Sequence, residues 1–386
     1  MIYLDNSATT VVREEVRDAM LPYLGEHGGN PSSIHKSGRV ARQAIDNARE
    51  QVAQLINSKP SEVYFTPCGT YSNNTAILGR ARYADANGMG RHLITCQIEH
   101  PSCLGPAKYL EANNWDVTYL PVDSNGMIDA AALKRAIKPK TSIISLMWAN
   151  NEIGSVFPIA EMAAIAREHG AFFHTDAVQV PGKMRIDVQE LGVDTLALSG
   201  HKFYAPKGIG ILYKRETVQV QPIIWGGGQE GALFPGTESL SNIVGIGVAA
   251  ELAHEELDHM HDHLIEMGSI LMDGLRGIEG ARVTGPEQLD KRLPGHASAV
   301  LPGVEGEAAV LQCDLKGLMI SSASACKKGI MQPSHVVAAL GISDEVAIGS
   351  LRISAGRFNT IEHCQKATAT VSKVVANLRK SAGVTA

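Results

Sequence analysis

One lysine in this chain follows a strand pattern directly, where its side chain could do chemistry. The apolar run Thr195–Leu198 predicts a short buried strand that stops at Ser199, and His201 and Lys202 come next. In an open α/β sheet, ligands bind beyond the carboxyl ends of the strands. Burial lowers the pKa of a lysine, and a neutral amine attacks carbonyl groups. The pattern favours Lys202 as a nucleophile, although a lone lysine is more often a solvated loop residue.

Three earlier strand patterns also end in polar side chains. Strands are predicted at 92–97, 141–147 and 171–175, and they lead into His100, Asn151, and the pair Asp176 and Gln179. A histidine can act as an acid or base, although an isolated one is more often structural. Four successive strand ends with such side chains indicate one shared site. No Gly-x-Gly-x-x-Gly run follows the early strands, which excludes a dinucleotide site.

A turn near residue 69 has the composition of a phosphate site. The strand pattern at 62–66 runs into Gly69 and Thr70, and a helix pattern follows. Backbone N–H groups at a helix N-terminus bind phosphate, and the hydroxyls of Thr70 and Ser72 add donors. Turns with Gly and Thr are common, so this signal is weak by itself.

A single thiol lies in a stretch of small residues near the C-terminus. Ser321–Gly329 is polar, ends in glycine and contains Cys326. A mobile, exposed thiol can be a nucleophile, whereas a free cysteine is usually buried and structural. The neighbouring cations Lys327 and Lys328 should favour the thiolate. We therefore interpret Cys326 as a candidate nucleophile.

Taken together, these motifs resemble the class V aminotransferase group of pyridoxal phosphate (PLP) enzymes, in its NifS/IscS-type cysteine desulfurases. The resemblance runs in the family's order from Leu4 to Phe358. It includes Leu-Asp-Asn-x-Ala-Thr-Thr near the N-terminus, Asn-Asn-Glu-x-Gly after the strand at 141–147, and the lysine and cysteine stretches. This chain departs from the family's usual residues at Tyr71, Gly231, Phe234, Ala323, Lys327 and Lys328.

The resemblance implies a role for each matching residue. Lys202 would bind PLP as a Schiff base, Asp176 would keep the ring nitrogen protonated, and His100 would stack on the ring and transfer protons. Cys326 would take the sulfur of L-cysteine as a persulfide, leaving alanine. The other implied contacts are Gly69 and Thr70 with the phosphate, Asn151 and Gln179 with the ring oxygen, Ser199 and His201 with the cofactor, Thr237 with the partner subunit's phosphate, Arg352 with the substrate carboxylate, and Asn30 near the substrate.

The same resemblance implies the fold, the partners and the assembly. The expected class is α/β, the fold type I of PLP-dependent transferases: a mostly parallel seven-stranded sheet flanked by helices, plus a smaller α/β C-terminal domain. The large PLP-binding domain would cover 13–256, and the small domain would combine 1–12 with 257–386 and carry the cysteine. The protein would be a homodimer, and the persulfide would pass to an acceptor such as an iron–sulfur cluster scaffold.

The apolar patterns predict several elements around these motifs. Helices are expected at 37–57, 159–169, 305–315 and 360–380, a long or broken helix over 242–278, and further strands at 209–213, 296–302 and 318–321.

Composition and charge narrow the function further. The chain has 386 residues, 44% of them hydrophobic, which is enough for a large domain and a smaller one. The net charge of −5 without a Lys/Arg-rich run gives no support for nucleic-acid binding. No apolar stretch approaches the roughly 18 residues that cross a bilayer, and no signal peptide is visible. We expect a cytoplasmic protein whose six cysteines are reduced.

Two histidines one helical turn apart raise the question of a metal. His259 and His263 have the spacing of a ligand pair, but no motif supplies a third ligand. A solvated helix face is the simpler interpretation, and no metal is predicted.

Two other functions stay open at this point. One is another class V PLP enzyme, such as an aminotransferase, a lyase or a selenocysteine lyase; the Cys326 stretch favours desulfuration instead. The other is a non-catalytic sulfur carrier that retains the fold, against which Lys202 and Asp176 argue.

Overall fold

A seven-stranded sheet with helices packed against it forms the centre of the molecule. The computed structural model describes residues 1–322, 325–327 and 330–383, with only the backbone for 325–327, 330 and 331. The strands are β1 (Ile2–Tyr3), β2 (Val63–Thr66), β3 (His92–Cys96), β4 (Asp116–Leu120), β5 (Thr141–Ser145), β6 (Phe172–Asp176), β7 (Thr195–Ser199), β8 (Gly210–Lys214), β9 (Arg282–Val283), β10 (His296–Val300), β11 (Leu318–Met319), β12 (Ala325–Lys327), β13 (Ile330–Gln332) and β14 (Ser350–Ser354). The α-helices are α1 (Glu14–Met20), α2 (Lys36–Ile56), α3 (Gly69–Ala86), α4 (Pro101–Ala112), α5 (Ala130–Ala136), α6 (Ile159–Glu168), α7 (Val188–Leu191), α8 (Leu240–Glu255), α9 (Leu257–Arg276), α10 (Gly306–Asp314), α11 (His335–Ala338), α12 (Asp344–Ala347) and α13 (Ile361–Ser381).

The strand order of the large sheet is β2-β8-β7-β6-β5-β3-β4. Strand β8 runs antiparallel to both of its neighbours, and the other pairs are parallel. Every residue of β3, β5, β6 and β7 is buried, as expected for parallel strands covered on both faces. The predicted α/β class with a mostly parallel seven-stranded sheet is confirmed.

A second hydrophobic core lies around the antiparallel sheet β14-β10-β9. Helices α9 and α13 contribute Leu264, Leu271 and Val371 to it, and the N-terminal segment contributes Leu4. Strand β1 pairs with β11, so the first residues are held beside the C-terminal part of the chain. By contrast, Val336 packs with the core of the large sheet. The division into 13–256 and 1–12 with 257–386 stays a prediction.

The long helical pattern over 242–278 forms two helices. Helix α8 ends at Glu255 and α9 begins at Leu257, so the break falls at Glu256. The Glu256 carboxylate accepts a hydrogen bond from Arg13 at 2.8 Å and is also paired with Arg357. These ion pairs fix the bend between the two helices.

Strands β4 and β14 were not predicted from the sequence. Strand β4 is at the sheet edge, where most of its residues are only half-buried and its apolar pattern is weak. Strand β14 carries the charged residue Arg352 in its middle, which interrupts an apolar run. In addition, part of the stretch predicted as a loop forms a hairpin, in which Cys326 of β12 is opposite Met331 of β13.

Candidate active site

One cavity of about 190 Å³ brings most of the predicted site residues together. It lies at the carboxyl ends of the parallel strands, because β6 ends at Asp176 and β7 at Ser199. The predicted residues that line it are Gly69, Thr70, His100, Asn151, Asp176, Gln179, Ser199, His201 and Lys202. Convergence at this edge is what the strand-end pattern in the sequence predicted.

Lys202 is held by backbone carbonyl groups. It follows β7 in a short 3₁₀ turn, and its Nζ donates to the carbonyl oxygens of Ser7 at 2.6 Å and Ala8 at 2.7 Å. Burial, and secondly the charge of Arg352, lower the pKa of Lys202 to about 8. A substantial fraction of this amine is therefore neutral near pH 8, as a nucleophile requires.

The lowered pKa of Lys202 gives a pH-dependence that can be measured. We expect the rate at which the cofactor-free protein takes up PLP to rise with pH through about 8 and then to level off, because only the neutral amine attacks an aldehyde. A lysine with an ordinary pKa of about 10.4 would give a rise that continues well above pH 9. Stopped-flow absorbance at a series of pH values measures the profile, and Lys207→Ala, at an exposed lysine, is the matched control.

Asp176 presents a buried carboxylate to the same cavity. Its Oδ1 accepts from the Val178 N–H at 3.0 Å, and its Oδ2 accepts from Asn73 Nδ2 at 2.7 Å. Among the residues that the structure describes, no basic side chain forms an ion pair with it. A buried acid without a cation suits a protonated ring nitrogen of a ligand.

His100 caps helix α4 and faces the cavity. Its Nδ1 lies 3.1 Å from the Ser102 N–H and 2.7 Å from Ser102 Oγ. Burial lowers the pKa of His100, which favours the neutral ring. Its ring therefore offers a flat face and an exchangeable proton beside Lys202.

Gly69 begins helix α3 at the wall of the cavity. A Cβ atom there would lie 2.9 Å from Val178 Cγ2 and 3.2 Å from Ser199 Cβ, so a larger residue would not fit without a shift. The first N–H groups of a helix have no partner within the helix, which makes this end a site for an anion. Thr70, the next residue, also lines the cavity.

Arg352 reaches the rim of the site from β14. Its Nη2 donates to Asp5 Oδ1 at 2.7 Å, and its Nη1 donates to the Asn151 carbonyl oxygen at 3.0 Å. Its buried Nε has no hydrogen-bond partner within the described part of the chain. An arginine with a free N–H suits a carboxylate ligand.

Besides Arg352, three other predicted residues are not among those that line this cavity. Asn30 is exposed in a turn, where its Oδ1 accepts from the Ser32 N–H. Thr237 lines a separate cavity of about 290 Å³ together with Tyr71 and Phe234. Cys326 has its backbone in β12, and its side chain, like Ala323 and Lys328 nearby, lies outside the described residues. The assigned roles of these three stay predictions, as do those of the residues that line the cavity.

Several residues of the site were not singled out in the sequence. Asn73 and Ser102 line the cavity. His174 lies two residues before Asp176 in a strand and so points to the same face, a signal that the alternation of a strand provides. Lys183 is a second buried lysine, and burial lowers its pKa to about 7. Its Nζ donates to the Gln179 carbonyl oxygen at 2.9 Å, and no sequence pattern distinguishes it.

The described residues contain neither a cluster of metal-ligand side chains nor a membrane-spanning helix. The rings of His259 and His263 stack with centroids 6.3 Å apart. Within residues 1–322, 325–327 and 330–383 there is no group of three or more His, Cys, Asp or Glu side chains that could hold a metal ion. Over the same residues, every helix is too short or too polar to span a bilayer.

Comparison with known proteins identifies the family. Residues 2–366 match the family described as aminotransferase class V. The chain is 43% identical over 385 residues to the cysteine desulfurase IscS of Methanosarcina thermophila. The alignment covers 100% of this chain and 94% of that protein. It also resembles the solved structure of a NifS-like protein, with a TM-score of 0.90, 34% identity and coverage of 97% of this chain and 99% of that one. A structure described as SspA in complex with cysteine matches with a TM-score of 0.79 and 34% identity, covering 93% of this chain and 100% of that one. The chain therefore belongs to the class V aminotransferases and, within them, to the cysteine desulfurases of the NifS/IscS type.

Proposed function

We propose that this protein is a PLP-dependent cysteine desulfurase, which converts L-cysteine to L-alanine and passes the sulfur through Cys326 to an acceptor protein. The observation that carries the proposal is the convergence of Lys202, Asp176 and His100 on one cavity beside the N-terminus of α3. The structure of the relative SspA with cysteine supports the substrate.

The residues of the cavity fit PLP. Lys202 is a buried amine of lowered pKa, the Asp176 carboxylate has no ion-pair partner within the described part of the chain, and Gly69 leaves the helix N-terminus accessible. Gln179 donates through Nε2 to the Ser7 carbonyl oxygen at 3.0 Å, while its buried Oε1 finds no partner among the described residues. A hydroxyl or protonated group of a ligand would satisfy that oxygen.

Each side chain would then have one task. When bound, PLP supplies a conjugated ring that accepts electrons from the Cα atom of an amino acid. Lys202 would hold the cofactor covalently and, once released, move a proton at Cα. Arg352 would bind the substrate carboxylate through its guanidinium, and Gly69 and Thr70 would hold the phosphate.

The sulfur step would belong to Cys326. Its thiolate would form a bond to the substrate sulfur, and the bond from that sulfur to Cβ would break. The electron pair would stay on Cβ, which would take up one proton, so that alanine leaves and a persulfide remains on Cys326. An iron–sulfur cluster scaffold is one acceptor that would draw on this persulfide.

The test of the function is the product. Purified protein loaded with PLP and supplied with L-cysteine should be yellow and should release alanine, with an equal amount of sulfur bound to the protein in the absence of thiols. An aminotransferase would instead release a keto acid, and a sulfur carrier would release neither product.

The assembly and location are further parts of the proposal. A homodimer is proposed on the family resemblance, and Trp225, an apolar side chain that is 70% exposed in the single chain, suits an interface. Sedimentation of the purified protein tests this assembly. The cytoplasmic location and the two-domain division are proposed on the family resemblance.

We predict that Asp176→Asn impairs catalysis far more than folding. The charged partner of the ring nitrogen would be lost, and removing one preorganised electrostatic contact lowers kcat by about 10²–10³-fold. The amide that replaces the carboxylate would still offer an oxygen to the Val178 N–H, but its NH₂ group would face the Asn73 NH₂ group, so the melting temperature should fall by several degrees while the fold survives. Alanine release and thermal unfolding measure the two effects, and near-normal alanine release would remove Asp176 from the mechanism.

A further inference from the structure

Asn73 is the junction of the hydrogen bonds that hold Asp176 and His100, and we infer that it is a positioning residue for the reaction. The inference rests on the proposed function, because it gives Asn73 a task at the cofactor ring. Asn73 is 1% exposed on helix α3, one turn after the helix begins at Gly69. It holds both groups that would contact the ring without itself being an acid, a base or a nucleophile.

The orientation of the Asn73 amide follows from its partners. Its Nδ2 lies 2.7 Å from Asp176 Oδ2 and 2.8 Å from Ser102 Oγ. Because a carboxylate only accepts hydrogen bonds, the NH₂ group must face Asp176. Both of its hydrogens are thereby used, and the amide oxygen points the other way.

His174 fixes the other side of the amide. The His174 Nε2 atom lies 3.0 Å from Asn73 Oδ1 and must donate to it, since that oxygen only accepts. The His174 Nδ1 atom then accepts from the Thr195 hydroxyl at 2.9 Å. Burial lowers the pKa of His174 to about 3, so the ring keeps this neutral form at physiological pH.

A second branch runs from Asn73 to His100. Ser102 Oγ accepts from Asn73 and lies 2.7 Å from His100 Nδ1, which also accepts from the Ser102 N–H at 3.1 Å. The Ser102 hydroxyl therefore donates to Nδ1, and the neutral His100 ring carries its hydrogen on Nε2. One amide thus orients the carboxylate and also orients the Ser102 hydroxyl toward His100 Nδ1, which supports the tautomer that the Ser102 N–H sets.

The expected consequence of losing Asn73 is misplacement of both groups. Without the Asn73 amide, the Asp176 carboxylate keeps, among the described residues, the Val178 N–H and the weak Cys103 S–H donor at 4.0 Å, and Ser102 loses its orienting partner. A misplacement of about 1 Å can lower a rate by about 10²-fold. We expect Asn73→Ala to lower kcat by about that factor, and to move the ¹⁵N signal of the ring nitrogen toward the unprotonated value in protein loaded with ¹⁵N-labelled PLP.

Three further variants make the test decisive. His174→Gln keeps an N–H near Asn73 Oδ1 and should retain most of the activity and the ring signal, whereas His174→Phe should behave like Asn73→Ala. Asn113→Ala is the matched control, because Asn113 is an exposed asparagine whose Nδ2 donates to the Tyr109 carbonyl oxygen. An Asn73→Ala protein with normal kcat and an unmoved ¹⁵N signal would overturn the inference.

Two other outcomes, a variant that does not fold and a parent protein without activity, also test the inference or the proposed function. If Asn73→Ala does not fold, the His174 pair decides, and equal behaviour of His174→Gln and His174→Phe would overturn the inference. A parent protein that binds PLP at Lys202 but releases no alanine would contradict the proposed function, while the ¹⁵N comparison would still test the role of Asn73.

Discussion

Lys202→Ala is expected to abolish turnover while the protein stays folded. The amine of Lys202 would form the covalent link to PLP and move the proton at Cα, and removal of such a group lowers turnover by at least about 10⁴-fold. Its Nζ donates hydrogen bonds only to the Ser7 and Ala8 carbonyl oxygens among the described residues, and Ser7 still accepts from Gln179. Alanine release should fall below detection, and PLP should bind reversibly without a covalent link.

Two other lysines serve as the comparison for the site of attachment of PLP. Lys207 is exposed nearby, and Lys183 is a buried lysine of lowered pKa that also contacts Gln179. Borohydride reduction followed by peptide mapping should place the pyridoxyl group on Lys202. Its recovery on Lys183 or Lys207 would show that the wrong lysine has been assigned.

Cys326→Ser is expected to stop sulfur transfer and to leave cofactor binding intact. An alcohol cannot hold a persulfide, whereas the residues predicted to bind PLP lie in the cavity of Lys202 and are unchanged. Alanine release without added thiol should cease, and the visible absorption of bound PLP should remain. Release of sulfide at the parent rate by this variant would exclude Cys326 as the sulfur acceptor.

The other cysteines differ in how readily their thiols could accept the substrate sulfur in place of Cys326. Burial raises the pKa of Cys96 and Cys103 well above the ordinary value and that of Cys313 and Cys364 to about 11, which leaves little thiolate at neutral pH. Cys68 is half-buried and lines the cavity, so it is the strongest competitor. Cys68→Ser should therefore retain persulfide formation, in contrast to Cys326→Ser.

Strand ends were the part of the site that the sequence predicted well. Carboxyl ends of neighbouring parallel strands meet at one edge of a sheet, so His100, Asp176 and Lys202 could be placed together from apolar runs alone. The family resemblance then supplied their roles. The structure brings these three to one cavity, as the pattern predicted.

What the sequence could not predict depends on pairing between distant segments. The Asn73 amide gains its importance from His174 and Asp176, about a hundred residues later on another element. Arg352 pairs with Asp5 at the opposite end of the chain. The low pKa of Lys183 arises from burial that no local pattern records.

The most direct test of the proposed mechanism is mass spectrometry of the PLP-loaded protein after a single pulse of L-cysteine without added thiol. We expect one additional sulfur atom on the peptide that contains Cys326, together with one alanine released for each persulfide formed. Additional sulfur on Cys68 or on any other cysteine, or alanine release with no sulfur left on the protein, would contradict this mechanism.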